Sequence, residues 1–374
     1  MPSIIKYLPV IFLLTLLAAG ACSDDELADN AEPANMETDI RFEPEGSGNA
    51  IIEVHADNAV EYWLSVDEQD AETNTTGVFE HVFTQSGDYT LDVRAYGLSG
   101  RYLRKVFTLT VDIEEEEEDE VPVDQGYSTP LSYEGYELAW HDEFEGDEVN
   151  TDDWVFEIGD GCPDLCGWGN NESQYYREEN AWVENDVLTI EAREEAFGSR
   201  NHTSARMKTQ GKQSFTYGRI DIRALLPQGQ GIWPALWMLG SNIETIGWPY
   251  CGEIDIMELI GGNGRDNEVH GTLHWYNNGH TFTGGSYTLS SGIFADEYHV
   301  FTIIWDETSI RWFVNDVQFH EILITPSHMS AFHEDHFFIF NVAVGGNWPG
   351  YPDETTNFPQ RMKVDYIRVF QENQ

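Results

Sequence analysis

Three carboxylates stand close together in an otherwise apolar segment, at Glu253, Asp255 and Glu258. Side chains alternate between the two faces of a β-strand, so Glu253 and Asp255 share a face while the intervening isoleucines point to the other. A regular strand would place Met257, and not Glu258, on the acidic face. The sequence therefore predicts a β-bulge near Met257, which would return Glu258 to that face.

This row of long, short and long acids suits the hydrolysis of a glycosidic bond. The two glutamates would start about 13 Å apart at Cα over four effective steps. On a concave sheet they could lean inward across Asp255, toward the carboxyl separation of about 5–5.5 Å in a retaining glycosidase. Three adjacent acids cannot all ionise cheaply, so at least one should hold its proton near neutrality, as a general acid must.

The competing interpretation of the same row is a solvated strand face, which is the usual meaning of alternating acids. Two features favour a functional site instead. Like charges side by side on a strand are destabilising. The flanking residues 246–251 and 259–262 are apolar and glycine-rich, unlike an ordinary surface.

The charge of the whole chain limits its partners. Asp and Glu number 67 against 19 Lys and Arg, for a formal net charge of -48. This balance excludes nucleic acid as a partner and disfavours sulfated or uronic polysaccharides, whereas a neutral polymer is compatible with it. Solubility is the alternative explanation of the acidity.

The first 22 residues predict export. Lys6 precedes an apolar stretch at 8–19 that is too short to span a bilayer, and small residues follow up to Cys22. Residues 19–22 resemble a bacterial lipobox, without its usual Leu, and the acidic residues 23–26 resemble the surface-export tag of Bacteroidetes-type lipoproteins. We expect a diacylglycerol anchor on Cys22 and an outer-membrane or cell-surface location in a Gram-negative bacterium. Plain secretion is the alternative.

Composition divides the rest of the chain into four parts. Residues 23–38 predict an acidic spacer, 39–112 a small β-domain, 113–135 an acidic linker and 136–374 a large domain. In the small domain, alternating segments predict strands at 50–55, 60–66, 77–83, 89–96 and 103–111. The last two resemble the final strands of a PKD-type immunoglobulin-like module, which could be a spacer or bind glycans. The acidic run 114–120 cannot collapse and so indicates an extended linker.

The large domain also predicts an all-β structure. Its clearest strands are 218–225, 299–305, 310–314, 337–342 and 363–370, with turn residues between them and one short helix predicted at 326–334. About 235 residues of this pattern suit a single large β-sandwich.

The cysteines beyond the signal predict one small disulfide. Cys162 and Cys166 are four residues apart, and an oxidising compartment permits a bond between them. Cys251 would then be a buried, unpaired thiol. A zinc site is the rival interpretation, but no paired histidines stand at ligand spacing beside these cysteines.

Residues 253–258 resemble the active-site signature of glycoside hydrolase family 16, in the bulged form typical of laminarinase-type β-1,3-glucanases. The resemblance spans most of 136–372, and the further similar segments are 139–144, 168–176, 217–219, 231–239, 270–275 and 344–350. It implies a concanavalin-like β-jelly-roll sandwich with a substrate groove on its concave face. The small immunoglobulin-like β-sandwich would precede it.

By position, the resemblance implies that Glu253 is the nucleophile, that Glu258 is the general acid and then the base, and that Asp255 orients Glu253. The reaction would be a retaining double displacement that needs no cofactor. An open groove implies cleavage within the chain. Asp365 matches a position where many members hold a structural calcium ion, which carbonyl oxygens such as that of Glu143 would complete. A loop without an ion is the alternative.

The surface of a neutral glucan has C–H faces and hydroxyl edges, which aromatic rings and fixed polar groups can bind. The expected stacking residues are Trp233, Trp237 and Trp348, and their expected polar partners are Asn171, Arg206, His274 and Asn347. Any one of these tryptophans could equally be a core residue. His274 by itself would more often be structural.

The favoured function is therefore that of a monomeric endo-β-1,3-glucanase acting on laminarin-like glucan, which contacts the membrane only through its lipid anchor. Mixed-linkage β-1,3-1,4-glucanase activity, or hydrolysis of another neutral glycan, is the alternative within the enzyme class. A non-catalytic glycan-binding lipoprotein is less favoured, because binding-only relatives typically lack the acidic pair.

Overall fold

The computed structural model describes residues 31–43, 48–67, 69–113 and 121–373. The chain divides into two compact units, residues 1–119 and 120–374. The predicted signal segment, Cys22 and the acidic run 114–120 lie outside the described residues. Within those residues, no helix is both long and apolar enough to cross a membrane.

The first unit is built from two antiparallel sheets. Their strand orders are β1-β2-β5 and β4-β3-β6-β7. The alternating burial of the strands directs one face of each sheet into a core that includes Ile52, Leu64 and Leu91. The strands are β1 (Ala34–Phe42), β2 (Asn49–Asp57), β3 (Glu61–Val66), β4 (Glu72–Asn74), β5 (Val78–Val82), β6 (Gly87–Tyr96) and β7 (Tyr102–Val111).

All five strands predicted for this unit are present, but the predicted spacer 23–38 is wrong at its end. Strand β1 begins at Ala34 and pairs antiparallel with β2. Its side chains alternate between partly buried and exposed, and Met36, Ile40 and Phe42 pack against the core. Polar residues lie between these three, so the apolar alternation of a strand is hard to recognise in the sequence. The segment therefore resembles a spacer, and only its pairing with β2 identifies it as a strand.

The second unit contains two large antiparallel sheets. One has the order β11-β12-β24-β15-β20-β21-β22, with β8 also paired to β24, and the other has the order β19-β18-β17-β16-β23-β14-β9. The first half of its strands comprises β8 (Tyr136–Asp142), β9 (Val155–Phe156), β10 (Gln174–Tyr176), β11 (Ala181–Glu184), β12 (Val187–Ala192), β13 (His202–Ser204), β14 (Arg206–Lys208), β15 (Gly218–Leu225) and β16 (Ile232–Gly240).

The remaining strands are β17 (Glu253–Leu259), β18 (Glu268–Tyr276), β19 (His280–Thr288), β20 (His299–Trp305), β21 (Ser309–Val314), β22 (Val317–Leu323), β23 (His336–Val344) and β24 (Gln360–Glu372). A short α-helix covers Ile243–Ile246. Short 3-10 helices cover Cys166–Gly169, Glu178–Asn180 and Ser327–His333. The helix predicted at 326–334 is therefore a 3-10 turn, and the all-β prediction is confirmed.

A large hydrophobic core packs between these two sheets. It contains fully buried rings such as Trp154, Trp312 and Phe340, together with the aliphatic side chains of β15, β17 and β24. Every residue of β23 is buried. A core of this size is possible only because both sheets are long and face each other. The packed core makes β17 rigid and so fixes the positions of its outward-facing side chains.

The acidic linker predicted at 113–135 is too long, because residues 121–135 pack onto the second unit. The guanidinium group of Arg223 is buried and donates hydrogen bonds to the backbone carbonyls of Val123, Gln125 and Tyr127. The Tyr133 hydroxyl donates to Asp221 at 2.7 Å. A buried arginine needs acceptors, and the backbone of this segment supplies them, while most of its side chains stay exposed.

Substitution of Gly271 by Ala should destabilise the second unit. A Cβ at this position of β18 would lie 2.3 Å from Cδ1 of Trp312, which is fully buried and cannot move aside freely. We expect a loss of about 1–3 kcal/mol in the free energy of unfolding, measured by urea denaturation. Gly87→Ala, where the nearest atom is 4.0 Å away, is the control. A Gly271→Ala protein as stable as the wild type would contradict this packing.

Candidate active site

Strand β17 carries the three acids and contains a bulge. Leu236 of β16 pairs with Met257, and the next residue, Trp237, pairs with Asp255, so Ile256 has no partner on β16. The pairing of β17 with β18 shifts over the same stretch. The predicted bulge is confirmed. Because of this extra residue, the last acid of the row returns to the face that carries the first two.

All three acids line one cleft on the face of the seven-stranded sheet that points away from the core. The cleft has a volume of about 690 Å³ and runs across the strands, from β19 at one side to β14 at the other. Asp255 and Glu258 are buried, at 3% and 9% exposure. Carboxyl groups so poorly hydrated need polar neighbours, and the cleft walls provide them.

His274 of β18 lies directly beside two of the acids. Its Nε2 is 3.2 Å from Oδ2 of Asp255 and 3.8 Å from Oε1 of Glu253. Its Nδ1 lies 2.9 Å from Nε2 of His280, on the neighbouring strand β19. A hydrogen bond at one ring nitrogen fixes which proton the other nitrogen carries. His280 therefore orients His274 toward the acids.

An indole N–H holds each of the two glutamates. Nε1 of Trp248 donates to Oε2 of Glu253 at 3.0 Å, and Nε1 of Trp233 donates to Oε1 of Glu258 at 3.0 Å. Both bonds fix the carboxyl groups without adding charge. A neutral donor leaves a carboxyl group able to attack or to transfer a proton, whereas an arginine would hold it permanently ionised.

Burial and mutual repulsion raise the pKa of every acid in the row. Burial, and then the neighbouring Asp255, raise the pKa of Glu253 to about 8, and burial raises the pKa of Asp255 to about 8. The pKa of Glu258 is raised well above its usual range by burial, by Asp255 and by Glu253. A raised pKa keeps a carboxyl group protonated closer to neutrality, as the general acid of a glycosidase requires.

The opposite wall of the cleft is built around Arg206 of β14. Its guanidinium group lies between the rings of Trp168 and Trp237, 4.6 and 4.9 Å from their centroids. Its Nε donates to Glu157, which also accepts from Lys208 at 2.6 Å. The arginine is thus neutralised and fixed, and it stiffens two aromatic walls rather than presenting a free charge.

The structure brings five of the seven predicted substrate residues to the cleft walls, namely Arg206, Trp233, Trp237, His274 and Trp348. The other two are not part of the lining. The side-chain amide of Asn171 donates to Asn347 at 2.9 Å, beside Asn170, which does line the cleft. The two asparagines close a loop instead of contacting the cavity.

Several lining residues were missed by the sequence interpretation. They are Glu157, Trp168, Trp248, His280, Phe282 and Asn341. Trp248 stands in the aromatic flank just before β17, which was a usable signal. Trp168 begins the matching segment 168–176, which was a second signal. The others come from parts of the chain far apart in sequence, and only the folded sheet brings them to one surface.

Comparison with known proteins agrees with this arrangement. Residues 169–368, which contain the acids and most of the lining, match the family described as glycosyl hydrolases family 16. The chain belongs to glycosyl hydrolases family 16. The predicted family is confirmed, and the two packed sheets are its jelly roll.

Individual relatives within family 16 differ in how much of their length is matched. The chain is 42% identical over 253 residues to a β-glucanase of Rhodothermus marinus, covering 63% of this chain and 85% of that protein. It is 40% identical over 240 residues to the clotting factor G alpha subunit of Tachypleus tridentatus, but spans only 34% of that protein. The laminarinase catalytic domain of Thermotoga maritima is a structural neighbour, with 45% identity, a TM-score of 0.60, and coverage of 64% of this chain and 100% of that one.

The two residues predicted to hold calcium in this family 16 domain are paired with arginines. Both carboxyl oxygens of Glu143 accept from Arg368, at 2.7 and 2.6 Å, and Oδ2 of Asp365 accepts from Arg223 at 2.7 Å. The carboxyl group of Asp365 is therefore already paired and does not fit a calcium shell in this arrangement, whereas the ligand predicted from Glu143 is its backbone carbonyl, which these bonds do not involve. The calcium ion stays a prediction.

The cysteines of the family 16 domain take no part in the chemistry of the three acids. Cys162 and Cys166 are joined in a disulfide that closes a loop near the cleft residues Leu165 and Trp168. Cys251 is a free, buried thiol, and burial raises its pKa to about 11. A thiol held in its protonated form is a poor nucleophile.

Glu258→Gln should make the protein more stable at neutral and alkaline pH. Because the pKa of Glu258 is raised on folding, the folded state binds more protons than the unfolded state, and stability falls as pH rises above the ordinary range near 4.3. The amide removes this loss. We expect the melting temperature to rise by about 2–4 °C at pH 8, with a smaller gain at pH 5.

The matched control is Glu354→Gln, which changes an exposed carboxyl group. It should leave the melting temperature unchanged at both pH values. A Glu258→Gln protein that melts at or below the wild-type temperature at pH 8 would contradict the raised pKa.

Proposed function

We propose that this chain is a retaining, endo-acting glycoside hydrolase that cleaves β-1,3-glucan of the laminarin type. The observation that carries the proposal is the bulged strand β17, which places Glu253 and Glu258 on one cleft floor with Asp255 between them. Each glutamate is held by a neutral donor, and burial raises the pKa of both, which favours a protonated general acid near neutrality.

In the first step, the ionised carboxylate of Glu253 attacks the anomeric carbon and forms an ester with the sugar. The bond from that carbon to the glycosidic oxygen breaks, and Glu258 transfers its proton to the leaving oxygen. In the second step, Glu258 takes a proton from water as the water oxygen attacks the same carbon. The ester bond breaks, Glu253 is released as a carboxylate, and the configuration is retained.

Asp255 and His274 have supporting roles in this scheme. Asp255 lies between the two glutamates and His274 contacts both Asp255 and Glu253, so together they orient the nucleophile.

The charge of the cleft favours a neutral glycan. Among the described residues that line it, the lysine and arginine side chains are Arg206 and Lys208, and both pair with Glu157. A sulfated or uronic sugar would find no uncompensated cation there and would meet three acids. Rings such as Trp233 and Trp237 suit the C–H faces of glucose units.

The substrate and the nucleophile can be tested together. We expect reducing ends to appear with laminarin, less or none with mixed-linkage β-1,3-1,4-glucan, and none with agarose or carrageenan. Glu253→Gln should lower kcat on laminarin by at least about 10³-fold while leaving the affinity for oligosaccharide nearly unchanged. Release of sugar from the galactans alone would overturn the substrate, and unchanged turnover in Glu253→Gln would overturn the nucleophile.

We further propose that the protein is exported as a monomer and anchored to the outer membrane or cell surface by lipid on Cys22. The lipobox-like residues 19–22 and the acidic residues 23–26 support this location. We propose that the first unit is a PKD-type immunoglobulin-like spacer, a role that its two small antiparallel sheets suit.

The anchor can be tested by Cys22→Ser in a Gram-negative host fed with labelled palmitate. The wild-type chain should carry label and sediment with membranes, whereas Cys22→Ser should carry none, because no thiol remains for the diacylglycerol group. Activity on laminarin, measured after detergent extraction, should be equal in the two proteins. An unlabelled wild-type chain in the soluble fraction would indicate plain secretion.

A further inference from the structure

Four exposed aromatic rings stand together beside the cleft. They are Trp248, Tyr250, Tyr276 and Phe282, with exposed fractions of 46%, 49%, 41% and 65%. We call them the aromatic platform. Aromatic rings stabilise a fold when they are buried, so these exposed rings contribute little to its stability. A cluster of exposed rings commonly marks a binding surface.

Strand geometry places the platform on the same face as the catalytic residues. Tyr276 follows His274 by two residues on β18, so both side chains point to the same side. Across the ladder, Phe282 of β19 pairs with His274, and His280 pairs with Tyr276. Directly paired residues share a face, so the outer ends of these two strands continue the cleft floor.

The rings form a row of two groups, each held together by its own ring contacts. The centroid of Trp248 lies 4.5 Å from that of His280. Tyr250 stacks on Tyr276, with centroids 4.1 Å apart and planes inclined by 20°. Trp248 and Phe282 line the cleft, whereas Tyr250 and Tyr276 lie beyond its lining. The row therefore extends the cleft outward from the nucleophile.

We infer that the aromatic platform is an additional subsite, which binds glucose units of the same neutral glucan chain beyond the reacting bond. Its flat, uncharged rings suit the C–H faces of a sugar. In the sheet order it lies on the β18–β19 side of the acids, opposite the wall formed by β16 and β14. This inference rests on the proposed function, and it explains how a long chain is held on both sides of the site.

The test removes the outer rings and leaves Trp248, which contacts Glu253, in place. In the double variant Tyr250→Ala/Tyr276→Ala, kcat/KM on polymeric laminarin should fall about tenfold, mainly through KM, because ring stacking contributes at this scale. On the shortest β-1,3-linked oligosaccharide that the wild type cleaves, kcat/KM should change less than about twofold. Tyr250→Phe/Tyr276→Phe keeps the rings and should behave like the wild type on both substrates.

Two results would overturn the inference: unchanged kcat/KM on the polymer, or an equal loss on both substrates, which would indicate a structural role for the tyrosines. Gel electrophoresis in the presence of laminarin, with both proteins carrying Glu253→Gln, measures binding without turnover. The tyrosine-to-alanine protein should be retarded less than its parent. This readout separates a failed platform from a failed hydrolase, since it does not depend on catalysis.

Discussion

The burial of three carboxyl groups on one strand is the constraint on which the rest of the site depends. Like charges held close together in a poorly hydrated cleft repel one another, and the structure lowers that cost by letting them keep protons. Indole and imidazole groups then orient them. The same burial and repulsion that destabilise the fold raise the pKa values of Glu253 and Glu258, and so the energetic cost and the acid–base chemistry have one origin.

Several acids elsewhere in the second unit have arginine partners instead of indole or imidazole groups. Glu143 pairs with Arg368 and Asp365 with Arg223, both within the sheet that contains β24, and Asp221 is bonded to Arg219. The donors that hold these carboxyl groups are therefore charged guanidinium groups. In the cleft, the nearest fixed arginine is committed to Glu157. Catalytic acids are thus distinguished from structural ones by the neutral character of the groups that hold them.

The seven-stranded sheet serves both as scaffold and as binding surface. The inward side chains of β17, such as Ile254 and Met257, are fully buried in the core and fix the strand that carries the acids. Outward side chains of the neighbouring strands form the cleft walls on both sides. Because the strands run across the cleft, each added strand contributes a further contact with the substrate, from Arg206 on β14 to Phe282 on β19. A long polymer is the natural occupant of such a surface.

The sequence alone determined the all-β class, the acidic row, the bulge and the family, because these depend on local alternation and on a motif of six consecutive residues. It also indicated Arg206 and, through matching segments, four further cleft residues, Trp233, Trp237, His274 and Trp348. The tertiary structure alone decided that 34–42 is a strand and that 121–135 packs on the second unit, because both depend on partners distant in the chain. It likewise decided that Asn171 and Asn347 bond each other, and that Trp248 and His280 hold the catalytic groups. Contacts across strands are set by sheet order and register, and no local pattern contains that information.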